Sequence, residues 1–343
     1  MENNIYHIFN SVTKKHSLNE ISKNMNLHIG TLKRWILLKK VPSCYYFDLC
    51  KLNGIKIDYS KFTEKEKDQF YTTDNTAKYC VEKTFKVLKD YNVNLSDYNF
   101  IEPSCGDGSF LKNLPENKRT GIDIEPKIKE GIKTDFLSWF PNTNNNIVIG
   151  NPPFGLRGNL ALKFVNHSSK FSDFVCFILP QLFNSEGKGS CKKRVSKELS
   201  LIHTEIIEPN FVYPNGKEVN VNVVFQIWSK LHKVKREVDN LSDIKIYSLS
   251  DGGTPGSTRN KKYLYSCDYY LPSTCFGKDQ MKLYNSFEKL PHRRGYGIVV
   301  LSNKLKISDI IKKINWVKSC FTSTNGAYNL RVDLINKSIK KLY

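Results

Sequence analysis

Methionine and tryptophan are scarce in this chain of 343 residues, with three and four copies, and acidic residues are few beside basic ones: 33 Asp and Glu against 53 Lys and Arg, a formal net charge of +20. No apolar run is long enough to span a bilayer, and no apolar stretch typical of a secretory leader follows Met1. The nine cysteines (44, 50, 80, 105, 176, 191, 267, 275 and 320) form no Cys-x-x-Cys pair and follow no regular spacing. That argues against a zinc site or a disulfide framework, and free thiols point to a reducing compartment. A soluble, intracellular protein without a metal is expected. With 40% hydrophobic residues the chain can bury a sizeable core, and its length suits about two domains. The basic excess suits a polyanionic partner, although a lysine-rich composition with solvated faces gives the same figure. The excess is uneven: residues 230–343 hold 22 Lys and Arg against 9 Asp and Glu, a net of +13.

The most informative stretch is Ile147-Val148-Ile149-Gly150-Asn151-Pro152-Pro153-Phe154-Gly155. β-Branched residues without alternation predict a buried parallel strand. Pro152 and Pro153 lack N–H donors and end it, which puts Asn151 at the carboxyl edge of a sheet, where open α/β sheets bind ligands. The Asn151 side-chain oxygen and the Pro152 carbonyl are two neighbouring acceptors, and Phe154 offers a flat apolar face. Such a loop suits a planar ring bearing an exocyclic NH2; read alone, it is equally a surface turn.

Along the chain, Ser17 to Lys40 places Leu18, Ile21 and Met25 at helical spacing, then a turn, then a second short helix from Thr31 to Ile36. This is a helix-turn-helix exposing Thr31, Lys33 and Arg34, or an ordinary helical hairpin. A polar connector from Asp58 to Asp68 marks a boundary. Asp68 to Asp74 then leads into a helix over Thr76 to Asp90, with Ala77, Cys80, Val81, Phe85 and Leu88 on one face, and Thr73 or Asp74 as its cap. Phe100 to Leu111 reads as a strand, a loop with Gly106 and Gly108, and a helix whose first N–H groups are free. Thr120 to Pro126 is a second strand, ending in Asp123, where nucleotide-type folds hold a ribose. Lys133 to Leu137 sets Asp135 beside Phe136, an acceptor and a ring for a purine. Strand, loop and helix repeated in this order predict doubly wound α/β.

These four stations, in this order, resemble the S-adenosylmethionine-dependent N6-adenine DNA methyltransferases in which the cofactor motifs precede an Asn-Pro-Pro-aromatic motif. The resemblance covers about Asp68 to Trp228. It implies a Rossmann-like methyltransferase sheet with a small amino-terminal helical segment and a carboxyl-terminal DNA-recognition domain, divided as residues 1–60, 61–229 and 230–343. It further implies a cofactor site of Phe70, Tyr71, Thr72, Thr73, Glu102, Pro103, Gly106, Gly108, Phe110, Asp123, Asp135 and Phe136, and a catalytic tetrapeptide of Asn151, Pro152, Pro153 and Phe154. The family's commoner last residue is Tyr; stacking needs only a ring. Val219 to Phe225 corresponds to the late strand whose lip faces the base.

S-adenosylmethionine is then the cofactor and double-stranded DNA the partner, the adenine being flipped into the pocket. The Pro-Cys pair used for ring-carbon methylation is missing, so Cys105 reads as a loop-packing thiol. Aromatic and basic residues interleave at Tyr263 to Tyr265, Tyr269-Tyr270 and His292 to Tyr296, as a nucleic-acid surface needs, or pack a small core; Asp251 to Ser257 reads as a loop that touches DNA. Competing readings are adenosine-N6 methylation of RNA, modification of a protein glutamine, which the basic charge disfavours, and a DNA-binding regulator with a vestigial cofactor domain.

Overall fold

The structure, a computed structural model, describes residues 2–25, 27–58, 61–63, 70–185, 190–208, 211–213, 216–219, 221–234, 241–251, 258–322 and 326–343. The chain forms two compact units, Met1–Phe70 with Tyr213–Asn215, and Tyr71–Val212 with Gly216–Tyr343.

The first unit is helical: α1 (Glu2–Lys15), α2 (Leu18–Asn24), α3 (Ile29–Leu38) and α4 (Tyr46–Asn53). Ser17 starts α2 with a reciprocal cap, accepting from Glu20 N while its own N–H and hydroxyl donate to the Glu20 carboxylate. Phe9, Ile21, Met25, Leu32, Trp35 and Leu49 share one core, with Trp35 edge-on to Phe9 at 5.4 Å. The hairpin read from spacing is therefore present. Thr31 is half-buried, whereas Lys33 and Arg34 face solvent.

The second unit opens with β1 (Tyr71–Thr72) and α5 (Asp74–Asp90). Ala77, Cys80, Val81 and Leu88 of α5 are buried, and Phe85 meets Phe100 at 5.6 Å. Next come β2 (Asn99–Glu102), β3 (Arg119–Asp123), β4 (Ile132–Lys133), β5 (Asn146–Gly150), α6 (Asn159–Ser168), β6 (Phe174–Pro180), α7 (Cys191–Arg194), β7 (Ser200–Ile207), β8 (Phe211–Val212), β9 (Glu218–Val219) and β10 (Val223–Ser229). Seven of these strands form one sheet in the order β4-β3-β2-β5-β6-β10-β7. The first five run parallel, and β10 is antiparallel to both neighbours. The fold is α/β with a large, mostly parallel sheet. Every residue of β5, β6 and β10 is buried, as expected of strands with both faces covered. The Asn146 amide, also buried, fixes the start of β5 by donating to the carbonyls of Thr143 and Phe171.

Two expectations change. The helix foreseen after the glycine loop is one 3-10 turn, Leu111–Asn113; Pro115 follows at once, and a proline ring excludes the residue before it from helical geometry. The connection from β3 to β4 is likewise too short for a helix. The strand foreseen from Val219 begins at Val223. Val219 belongs instead to a small sheet, β1-β8-β9, and Asn220 lies outside the described residues, as do Asp68, Gln69 and residues 252–257 of the foreseen loop.

The carboxyl-terminal part adds β11 (Ile244–Ser250), β12 (Tyr269–Pro272), β13 (Thr274–Cys275), β14 (Arg294–Val300), α8 (Lys304–Lys313), α9 (Trp316–Ser319), β15 (Phe321–Thr322), β16 (Tyr328–Asn329) and α10 (Val332–Lys340). Sheet β11-β14-β12 buries Leu271 and Ile298 with Ile307, Ile311, Ile335 and Ile339 of α8 and α10. Tyr296 serves this interior, Tyr270 packs a second cluster with Leu249, Leu264, Phe287 and Leu290, and Tyr265 is 67% exposed.

Phe177 in the middle of β6 is fully buried. Phe177→Ala should cost about 3–5 kcal/mol, read as a lower denaturant midpoint in the unfolding of the second unit.

Candidate active site

The four stations converge at the carboxyl end of the parallel strands. Gly150 ends β5 beside β2: a Cβ on it would meet Glu102 Cγ at 3.3 Å and Pro103 at 3.5 Å. The Asn151-Pro152-Pro153-Phe154 loop is thus seated on the Glu102-Pro103 loop. Ser104 Oγ donates to the Asn151 carbonyl at 3.1 Å, a contact that the motif reading did not assign; its only sequence signal is its place next to Pro103.

The Asn151 side chain is fixed at one end only. Its Nδ2 donates to Thr72 Oγ1 at 3.1 Å, while its Oδ1 is buried and accepts no hydrogen bond. A buried polar atom left unpaired costs about 1–3 kcal/mol, so the arrangement suits an acceptor kept for a donor from outside. Thr72, 4% exposed, is held by β1, which pairs with Phe211 of β8. The structure therefore sets Thr72, expected in the cofactor segment, beside the Asn151-Pro152-Pro153-Phe154 loop expected to be catalytic.

The glycine loop is equally constrained. Gly106 has φ +48°, and a Cβ there would lie 2.9 Å from the Tyr71 ring, so Tyr71 covers the loop. The Gly106 N–H donates to Asp123 Oδ2 at 2.9 Å, and Asp123 Oδ1 accepts from Glu125 N at 2.8 Å. Asp123, the acid expected to meet a ribose, is thus oriented by two backbone donors, and each of its carboxylate oxygens keeps lone pairs open. Gly108, at φ +80°, lies under Ile128. Glu102, 2% exposed, accepts from Leu111 N at 3.0 Å. Burial pushes its carboxyl well above the usual carboxylate range, against that N–H, and Asp107 and Asp123 add to the rise. Burial likewise pushes the Cys105 thiol far up, which fits a packing role. Phe110 is buried below the loop.

Asp135 and Phe136 sit differently. Asp135 Oδ1 accepts from Leu137 N at 3.1 Å, and Thr134 N donates to the Asp123 carbonyl at 2.9 Å, which ties this station to Asp123. The Phe136 ring, 3% exposed, stacks on Phe164 at 5.1 Å and meets His167 and Phe171 edge-on. It supports the site from beneath. Phe154 is also buried, at 3%; its carbonyl accepts from Leu160 and Ala161 at the start of α6, so its ring is no open platform. Phe70 and Thr73 flank β1, with the Thr73 hydroxyl on Thr76 Oγ1 at 3.2 Å. Among the described residues no group of three His, Cys, Asp or Glu could hold a metal, and no helix is long and apolar enough to cross a membrane.

No protein-family model matches the chain. It is 36% identical over 78 residues to the type II methyltransferase M.TthHB8I of Thermus thermophilus, a stretch that spans 20% of this chain and 18% of that protein. It is 30% identical over 95 residues, 24% of each chain, to the type II methyltransferase M.CvrRI of Paramecium bursaria Chlorella virus XZ-6E. The chain thus matches about a fifth to a quarter of the length of these curated relatives. A solved modification subunit assigned to a type I restriction enzyme from Vibrio vulnificus YJ016 aligns over 84% of this chain and 67% of its own, at 12% identity and a TM-score of 0.36. The two sequence relatives, both designated methyltransferases, agree with the methyltransferase part of the resemblance drawn from the motifs.

A carboxyl raised by folding favours the fold fully below its unfolded value, a contribution lost as pH rises through the folded value. Glu102→Gln keeps an acceptor for Leu111 N and removes the buried charge. Its melting temperature should exceed that of the wild type at about pH 8, and the gap should close as pH falls below the carboxylate range. A gap independent of pH would show that Glu102 is not shifted.

Proposed function

We propose that the chain transfers a methyl group from S-adenosylmethionine to the N6 amino group of an adenine within a specific sequence of duplex DNA. The observation that carries this reading is the buried, unpartnered Oδ1 of Asn151, aimed by the Thr72 hydrogen bond on the opposite end of the same amide. The Pro152 carbonyl next to it accepts no hydrogen bond from a described residue, so two acceptors await the two hydrogens of one amino group.

An aromatic amino nitrogen is a poor nucleophile because its lone pair is delocalised into the ring. Acceptance of both N–H groups by Asn151 Oδ1 and Pro152 O favours a pyramidal nitrogen with a localised lone pair, and withdraws positive charge as the new bond forms. That is preorganised electrostatic stabilisation, and it calls for neither a covalent intermediate nor a side-chain nucleophile. Tyr71, Gly106, Gly108, Asp123 and Asp135 would hold the cofactor: the two glycines make a cradle in which a Cβ would strike Tyr71 or Ile128. When bound, S-adenosylmethionine supplies an electrophilic methyl group. Relatives designated type II methyltransferases support methyl transfer.

The DNA partner rests on charge and exposure. Residues 230–343, which we take as the reader of the target, carry the +13 excess. They expose Tyr265 and Phe276 near chain positions that also expose Lys261, Lys262, Arg293 and Arg294. To reach Asn151 an adenine must leave its stack, at a cost of a few kcal/mol, and Phe154 must be uncovered to receive it.

Asn151→Ala removes the acceptor and leaves the glycine loop intact. Loss of one such hydrogen bond costs about 10²–10³ in turnover, so tritiated methyl transfer to DNA should fall at least that far while calorimetric affinity for S-adenosylmethionine holds. Asp123→Ala should do the reverse first, weakening cofactor binding. Wild-type turnover in Asn151→Ala, a methylated cytosine in the digest, or preferential labelling of RNA would overturn the corresponding part.

A further inference from the structure

The amino-terminal unit plays no part in the chemistry above, yet its surface is built to one pattern. Helices α2 and α3 are joined by residues 25–28 only, and their mutual seat is fixed by Ile21, Met25, Leu32 and Trp35, all buried in one core. The Ser22 hydroxyl closes the turn on the Leu27 carbonyl at 2.5 Å. With Leu32 and Trp35 turned inward, the outward stripe of α3 is Gly30, Lys33, Arg34 and Leu37, spaced i, i+3, i+4, i+7 and hence on one face.

That stripe is unusual for a solvated helix. Leu37 is 81% exposed, and among the described residues Lys33 and Arg34 make no ion pair. The acid on the neighbouring helix, Glu20, is already engaged by Ser17. Residues 1–58 hold nine Lys and Arg against four Asp and Glu.

We infer that this unit is a second, separate contact to duplex DNA, in which α3 enters the major groove. The groove, about 12 Å wide, admits one helix, and a helix with its side chains is about 10–12 Å across. At the first turn the His28 imidazole accepts from Gly30 N at 3.1 Å and lies against Gly30, so that ring meets the groove together with the helix. Lys33 and Arg34 donate to phosphate or guanine acceptors, and Leu37 can meet a thymine methyl. The deep, narrow major groove of an RNA duplex would not admit the helix. The inference stands whether or not the chain methylates adenine.

The test compares the full chain with K33E/R34E and, as a charge control on other faces of the same unit, K14E/K56E. Fluorescence anisotropy with a random-sequence DNA duplex is read across a salt series. K33E/R34E should bind at least about tenfold more weakly than the control pair. Its slope of log K against log salt should fall by about 1.8, at about 0.9 for each lost phosphate contact. Turnover at saturating DNA should stay within about twofold of the wild type. Equal losses in the two double variants would overturn the inference, as would competition by single-stranded RNA equal to that of the duplex. So would an L37E variant that splits a dimer in sedimentation while DNA binding is unchanged, since α3 would then be an interface between copies. Absence of methyl transfer with the binding difference intact would instead overturn only the proposed reaction.

Discussion

The site depends on a single amide held at one end. Thr72 takes the Nδ2 of Asn151, and everything around that bond keeps the Oδ1 from relaxing onto another donor. The two prolines fix the backbone, Ser104 holds the Asn151 carbonyl, and the close approach of Gly150 to Glu102 and Pro103 leaves the loop no room to tilt. An amide free to rotate could satisfy both its ends inside the protein. This one is prevented from doing so, and the local instability that results is the condition for binding an outside donor strongly.

Much of this was legible in the residues. The run of β-branched side chains before two prolines specified a buried strand and its end, and β5 is that strand. The glycine loop, too, was readable, because Gly106 and Gly108 stand at positive φ between a strand and an acid-terminated strand. The helical hairpin followed from the spacing of Leu18, Ile21 and Met25, and the Ser17–Glu20 cap is what the structure adds. What spacing could not reveal is contact across the chain: Thr72 and Asn151 are 79 positions apart, and no local period links them. Motif order placed Thr72 at the cofactor; geometry puts it on Asn151.

The misread elements share a physical origin. Leu111 and its neighbours carry helix-forming residues, yet Pro115 stops the helix after one turn. The alternating Val and Asn residues from Val219 look like one strand; in space the run is divided between two sheets, with Val219 pairing in the small one and Val223 in the large one. Phe136 and Phe154 stand apart from these two: the motif reading set their rings against a purine, and in the folded chain both rings are buried among their own neighbours. Tyr270 and Tyr296 are likewise buried, each in a cluster of the carboxyl-terminal part.

The small sheet has a consequence for how the protein comes into being. Thr72 lies near the start of the second unit, but its strand is paired by Phe211 and Val212, which are added only after the five parallel strands and β7. Contacts between distant positions form late, since long loops must close first. On a ribosome the parallel strands can therefore assemble with the Asn151 loop in place while Thr72 still lacks its seat, and the pocket is finished only once Val212 has emerged. A truncated or stalled chain would own the motif and the glycine cradle yet lack the aimed amide.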